Sequence, residues 1–191
     1  KEYFLIPDKK PVPSEFVQSW EPGAVAGTKF TEEEFAKINK GIEFNIDEFA
    51  PGFYVTYCGN VIRATDKKVD TGLKKELNGK KNVLVTLPMD FNTGCIVKKT
   101  FVVPEGKTVL KLNVGREMDG YWQLLVQCNG TQIFSKTINE ESAPDGSCDI
   151  EVDLSQYANR EITLELVNQP ACWRNSINFT AYWNKIEIVT E

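Results

Sequence analysis

From about residue 83 onward, short segments of alternating apolar and polar residues follow one another, separated by turn residues. The segments are NVLVTL, CIVKKTFVV, TVLKLNV, WQLLVQC, QIFSKTI, CDIEVDL, ITLELV and YWNKIEIV. A period of two places apolar side chains on one face of a strand and polar side chains on the other. About eight short strands with almost no helical pattern predict an all-β fold, an antiparallel β-sandwich.

The pattern also assigns faces and turns. Leu110, Leu112 and Val114 alternate with polar residues, so we expect them in the core of a sheet whose other face meets water. Asn129-Gly130 predicts a tight hairpin, because both residues tolerate the positive φ of its turn. A jelly roll is the most economical sandwich, since it alternates strands between two sheets and gathers loops at the ends.

One short N-terminal helix is predicted at about residues 31–40. Thr31 has the side chain of an N-cap residue, and Glu34 stands three residues later, as in a capping box. Acidic residues fill the first turn and lysines the last, and Gly41 ends the pattern. The segments GIEFNIDEF and FYVTYCGNVI read as further strands.

The 191 residues suit one compact unit. We expect residues 1–82 to form an extension that packs on a jelly-roll core of residues 83–191. Lys1 in place of an initiating Met is typical of a processed or truncated chain whose targeting segment is not in view.

Composition excludes several classes of function. The chain has no histidine, which removes the commonest general base and zinc ligand. Its net charge of −5 argues against binding to nucleic acid. No apolar run approaches the roughly 20 residues of a transmembrane helix. The five cysteines contain no CxxC pair, and two readings stay open: buried free thiols or one or more disulfides.

The C-terminal part resembles the galactose-binding-domain-like jelly rolls that occur as carbohydrate-binding modules in secreted bacterial polysaccharide-degrading proteins. The segments that carry the resemblance are FVVPEGKTVLKLNVG, YWQLLVQCNGTQIF, IEVDLSQYANREITLELVN and AYWNKIEI, within about residues 83–191. The resemblance implies a non-catalytic domain, secreted, periplasmic or on the bacterial surface, that binds a polysaccharide or oligosaccharide at the loops of one end. It is consistent with further domains in a longer chain.

The resemblance also implies that a structural calcium ion is possible. Calcium requires several oxygen donors gathered in space. Asp145, Asp149 and Asp153 have suitable carboxylates, but their spacing alone does not bring them together. Solvated carboxylates are the preferred interpretation, and no other cofactor is expected.

Sugars bind to aromatic rings and to planar hydrogen-bonding side chains. Two loops carry such groups, and their candidate ligand residues are Trp173, Arg174 and Asn175 in the first and Arg116, Asp119 and Tyr121 in the second. Each has a structural alternative: Trp173 as a plug at the end of the sandwich, and Arg116 as a surface ion-pair partner.

The last strand adds a third aromatic candidate. Trp122 shares its phase with Leu124 and is expected in the core. Tyr182 shares the phase of Ile186 and is expected to point inward. Trp183 is therefore predicted on the solvent face, either as a ligand residue or covered by the N-terminal segment.

From the resemblance and the candidate ligand residues, we hypothesise that the chain is a non-catalytic carbohydrate-binding module. The alternative is a structural or protein-interaction domain of a larger glycoside hydrolase or surface protein. A glycosidase requires two acids roughly 5–10 Å apart across a cleft, and no motif pairs two acids here.

Overall fold

The structure, a computed structural model, describes residues 3–5, 11–13, 41–62, 67–171 and 178–191. The strands are β1 (Tyr3–Leu5), β2 (Pro11–Pro13), β3 (Ile42–Asn45), β4 (Tyr54–Cys58), β5 (Val61–Ile62), β6 (Lys67–Lys68), β7 (Gly72–Leu77), β8 (Lys80–Thr86), β9 (Cys95–Val102), β10 (Thr108–Arg116), β11 (Trp122–Cys128), β12 (Thr131–Ile138), β13 (Ser147–Asp153), β14 (Glu161–Pro170) and β15 (Ala181–Thr190). A 3-10 turn at Ser155–Tyr157 precedes β14. The helix predicted at residues 31–40 lies outside the described residues.

Two antiparallel sheets form a β-sandwich, which confirms the predicted fold class. Among the described residues, one sheet has the order β13-β10-β15-β8-β7 and the other has the order β12-β11-β14-β9-β4-β3. From β8 to β11 each strand lies in the sheet opposite to the strand before it. This alternation gathers the connecting loops at the two ends of the sandwich, as expected for a jelly roll.

The core lies between the sheets and follows the alternation in the sequence. Leu110, Leu112 and Val114 on β10 are buried, as predicted. On the facing sheet, Leu124 and Val126 of β11 are completely buried. Burial of apolar area at about 25 cal/mol per Å² makes this shared layer the main stabilising contribution.

Asn-Gly turns close two hairpins at one end of the sandwich. Asn129 and Gly130 have φ of 51° and 76° and join β11 to β12, which confirms the prediction. Asn78 and Gly79 have the same pair of φ values and join β7 to β8. Positive φ at both central residues matches the right-handed twist of the paired strands.

The sandwich also contains strands from the first 82 residues. β3 and β4 extend the sheet beyond β9, and β7 extends the other sheet beyond β8. Ile46, Phe53 and Val55 are buried in the common core. The boundary that we expected between residues 82 and 83 falls inside β8, since Lys80–Thr86 is one strand.

The predicted exposure of Trp183 is wrong, because β15 contains a bulge. Asn113 pairs with Lys185, but Val114 pairs with Trp183, so Asn184 is an extra residue opposite β10. The extra residue reverses the alternation for the N-terminal part of β15. The ring of Trp183 is therefore 0% exposed, while Tyr182 is half-buried on the other face. Trp122 is buried, as predicted.

In the described part of the chain we find no apolar helix with the length that crossing a bilayer requires.

We predict that Trp183→Ala lowers the free energy of unfolding by about 3–5 kcal/mol. The substitution removes a ring whose centroid lies 5.5 Å from that of Trp122 and leaves a cavity in the core. Urea denaturation followed by circular dichroism measures the change. Met118→Ala is the control, because this side chain is 95% exposed and its loss is expected to change stability by less than about 0.5 kcal/mol. Equal denaturation midpoints for Trp183→Ala and the parent would contradict the structural role.

Candidate functional site

The candidate loops meet at the end of the sandwich opposite the Asn-Gly hairpins. β10 ends at Arg116 and β11 begins at Trp122, so the loop between them is Glu117–Tyr121. Arg116 pairs with Ala181 at the start of β15, and Trp122 pairs with Pro170 at the end of β14. The two strands that flank residues 172–177 therefore both adjoin this loop.

Backbone contacts attach the loop to the chain that leads into β15. Gly120 and Asn178 form a parallel bridge, and the Tyr121 nitrogen donates to the Asn178 oxygen at 2.9 Å. Within the loop, the Gly120 nitrogen donates to the Glu117 oxygen at 2.8 Å. A β-carbon at Gly120 would lie 2.8 Å from the Glu117 nitrogen, so the turn requires glycine at this position.

Arg116 supports the loop from inside. Its side chain is only 9% exposed, and Nη1 donates to the backbone oxygens of Glu117 and Met118. Nε is buried without a hydrogen-bond partner. A buried donor without an acceptor costs about 1–3 kcal/mol, so an acceptor that reached Nε would gain free energy. Arg116 is thus a preordered donor and not the surface ion-pair partner that the sequence allowed.

A side-chain contact anchors the same loop to β15. The Tyr182 hydroxyl donates to the Glu117 carboxylate. The bulge in β15 makes this contact possible, because it turns Tyr182 away from the core. Neither residue was singled out as a ligand residue from the sequence, and the contact depends on a register that no local pattern reveals.

The remaining side chains of the loop are fully or partly exposed. Asp119 is exposed, Tyr121 is half-buried, and Met118 is 95% exposed. The loop therefore carries an exposed carboxylate, a partly exposed phenol ring and an exposed thioether. The buried guanidinium of Arg116 contacts the backbone of the same loop. The sequence analysis missed Met118, although an apolar residue among loop-forming polar residues is a detectable signal.

A buried polar network lies below the loop. Trp183 Nε1 donates to Thr86 Oγ1 at 2.9 Å. Asn168 Nδ2 donates to the backbone oxygen and to Oγ1 of Thr86, both at 3.2 Å. All three side chains are 0% exposed, so Trp183 belongs to the interior and not to the candidate site.

An aromatic contact supports the neighbouring loop. The rings of Phe91 and Phe179 meet edge to face with centroids 5.7 Å apart. Phe91 lies between β8 and β9, and Phe179 follows Asn178, which bridges to Gly120. Such pairs contribute roughly 0.5–1.5 kcal/mol beyond the area that they bury. The segment that contacts the candidate loop is thus itself packed.

The structure brings together three of the predicted site residues and buries a fourth. Arg116, Asp119 and Tyr121 lie in or next to one loop. Trp183 is buried behind it. Three candidates lie outside the described residues: Trp173, Arg174 and Asn175.

The carboxylates considered for calcium do not form a donor set. Within the described residues, no group of three or more cysteine, aspartate or glutamate side chains is arranged to hold a metal ion. Asp149 accepts a hydrogen bond from Asn113, and Asp153 accepts one from the Ser155 nitrogen. Hydrogen bonds from the side chain and backbone of Ser155 lower the pKa of Asp153.

Comparisons with known proteins give structural neighbours. No protein-family model and no curated protein matches the chain. A family 35 carbohydrate-binding module from an environmental isolate is 16% identical, with a TM-score of 0.44 over 62% of this chain and 82% of that chain. The CBM36-1 domain of a multidomain xylanase from the hindgut metagenome of Trinervitermes trinervoides is 13% identical, with a TM-score of 0.40 over 64% and 92% of the two chains.

An enzyme is also among the neighbours. A glycoside hydrolase family 43 arabinoxylan arabinofuranohydrolase from Bacillus subtilis is 9% identical, with a TM-score of 0.44 over 80% of this chain and 28% of that chain. The first two neighbours are of the kind that the sequence resemblance names. Likeness at this level carries no argument about function, so the function of this chain must be argued from its own side chains.

We predict that Arg116→Lys loosens the Glu117–Tyr121 loop. A lysine amine cannot replace the guanidinium contacts to two carbonyl oxygens, and a hydrogen bond to a charged group contributes about 1.5–3 kcal/mol. Amide exchange at Gly120 and Tyr121, measured by NMR, should become roughly tenfold faster or more. Lys111→Ala, on the outward face of the same strand, is the control and should leave both rates unchanged. Unchanged exchange in Arg116→Lys would show that the guanidinium does not support the loop.

Proposed function

We propose that this chain is a non-catalytic carbohydrate-binding module that binds a glycan at the Glu117–Tyr121 loop. The observation that carries the proposal is Arg116, a preordered, nine-tenths buried guanidinium with an unpartnered Nε, beneath a loop that presents Asp119 and Tyr121. We include Trp173, Arg174 and Asn175 in the proposed site because the strands that flank residues 172–177 adjoin the loop.

The chemistry of these groups suits a sugar. A hydroxyl group both donates and accepts hydrogen bonds, so it can accept from a guanidinium and donate to a carboxylate. The ring of Tyr121 offers a flat apolar surface to the C–H face of a pyranose, and its hydroxyl is a further polar contact. Arg116 and Asp119 supply complementary donors and acceptors within the same loop.

Several contacts hold the Glu117–Tyr121 loop in place, which favours a role of this loop in specific binding. Arg116 contacts two loop carbonyls, Tyr182 binds Glu117, and Tyr121 bonds to Asn178. A loop that is ordered before binding loses less conformational entropy when a ligand arrives. The proposal assigns no general acid or base, and Glu117 acts in it as an anchor of the loop.

Polysaccharides of cell walls and host surfaces lie outside the bacterial cytoplasm. A chain with this function would act as a secreted, periplasmic or surface domain, joined in a longer chain to the activity that it brings to the glycan.

A second function is favoured by one observation. Met118, 95% exposed at the tip of the loop, is an adaptable apolar side chain of the kind used at protein interfaces. The same loop would then contact a neighbouring domain of a larger glycoside hydrolase or surface protein.

The test begins with the labelled chain on arrayed plant, algal and host glycans, followed by calorimetric titration with a soluble oligosaccharide of each class that is retained. We predict that Asp119→Ala and Tyr121→Ala each weaken binding about tenfold or more, since about 1.4 kcal/mol corresponds to a factor of ten. Trp173→Ala tests the contribution of residues 172–177 in the same titration.

Glu105→Ala is the matched control, because Glu105 is an exposed acid in the loop between β9 and β10, at the opposite end of the sandwich. It should leave the affinity unchanged. The proposal is contradicted if the parent chain retains no glycan. It is also contradicted if the parent and all variants bind the glycan with equal affinity. The former result would favour the structural alternative, which predicts that Met118→Asp disrupts contact with a partner domain.

A further inference from the structure

The path of β4 changes just before Cys58. Its residues pair with β9 as far as Thr56, which lies opposite Ile96. Continued pairing would place Tyr57 opposite Cys95, but Tyr57 has a φ of 55° and its side chain is 43% exposed. Tyr57 thus acts as an extra residue, and the register of β4 with β3 shifts at the same place.

The irregularity brings two cysteines together inside the core. With Tyr57 turned outward, Cys58 takes the inward position beside Cys95 at the start of β9. Both side chains are 0% exposed and belong to the same core cluster. The Cys58 thiol donates to the Gly59 oxygen at 3.5 Å. A hydrogen bond with the Cys95 thiol lowers the pKa of Cys58, and burial raises the pKa of Cys95. Both are free thiols in the structure.

Cys58 lies one residue past the position opposite Cys95 and also bridges to Pro88, so the two cysteines are neighbours and not a directly opposed pair. A disulfide forms without backbone movement when the two Cα atoms are about 4.4–6.8 Å apart.

The other described cysteines have no such partner. Cys128 lies opposite Thr131 on one neighbouring strand and Leu164 on the other. Cys148 lies opposite Val114. Among the described residues, Cys58 and Cys95 are therefore the cysteines that the fold places side by side. Cys172 lies outside these residues.

We propose that Cys58 and Cys95 form a disulfide in an oxidising environment and that this bond fastens β4 to β9. In the balanced reaction the two thiols lose two protons and two electrons to a disulfide oxidant, such as oxidised glutathione. One S–S bond forms between the cysteines, the S–S bond of the oxidant breaks, and two molecules of reduced glutathione leave.

The bond forms as the chain folds, because neither thiol is accessible to an oxidant in the folded protein. It encloses the four strands β5 to β8 in one covalent loop and attaches the early strand β4 to the sheet built by the later residues. A link between positions so distant in sequence restricts the unfolded chain and stabilises the fold.

The test is to refold the full chain from denaturant in reduced and oxidised glutathione and to block free thiols with an alkylating reagent. Trypsin, which cleaves after Lys and Arg, places Cys58 in peptide 41–63 and Cys95 in peptide 82–98. We expect one linked species of these peptides, with a mass about 2 Da below their sum. The species should separate into the two peptides on reduction. Recovery of both peptides with alkylated thiols would overturn the proposal.

Variants and melting temperatures complete the test. Cys128→Ala, the control, should leave the linked species intact, and Cys58→Ala and Cys95→Ala should each abolish it. The oxidised parent should melt on the order of 10 °C above the reduced parent. Equal melting temperatures of the oxidised and reduced parent would contradict the stabilising role. If a variant fails to fold, the peptide map of the unmutated chain still shows whether Cys58 and Cys95 are linked.

Discussion

The contact between Trp122 and Trp183 joins the two sheets directly below the candidate site. Trp122 belongs to β11 of one sheet and Trp183 to β15 of the other, and their ring centroids lie 5.5 Å apart. Each indole nitrogen is also satisfied, Trp122 Nε1 by the Gly115 oxygen on β10 and Trp183 Nε1 by Thr86 on β8. Buried indoles require such partners, because an unsatisfied donor in the core costs free energy.

The site depends on this layer. Gly115, whose oxygen accepts from Trp122, immediately precedes Arg116, so the indole fixes the end of β10 from which the loop begins. Asn168 extends the layer by donating from β14 to Thr86 in the facing sheet. Buried hydrogen bonds across the core thus hold the strands that carry the loop. The Arg116 guanidinium reaches the loop carbonyls from this buried layer.

The sequence predicted the fold well where the interactions are local. The alternation in TVLKLNV identified Leu110 and Leu112 as core residues, and Asn129-Gly130 identified a hairpin. The predicted exposure of Trp183 was wrong because it assumed regular alternation along the whole of β15. One extra residue, Asn184, forms a bulge opposite β10 and interrupts that alternation. A bulge depends on the pairing of two strands that are distant in sequence, so neither strand reveals it alone.

The sequence by itself determined an all-β chain, the inward faces of its regular strands and the positions of its turns, because side-chain period and turn chemistry act between near neighbours. The tertiary structure decided which loops share an end, that Arg116 is buried beneath one of them, and that Cys58 lies beside Cys95. These features follow from strand register, which is set by hydrogen bonds and core packing between residues far apart in the chain.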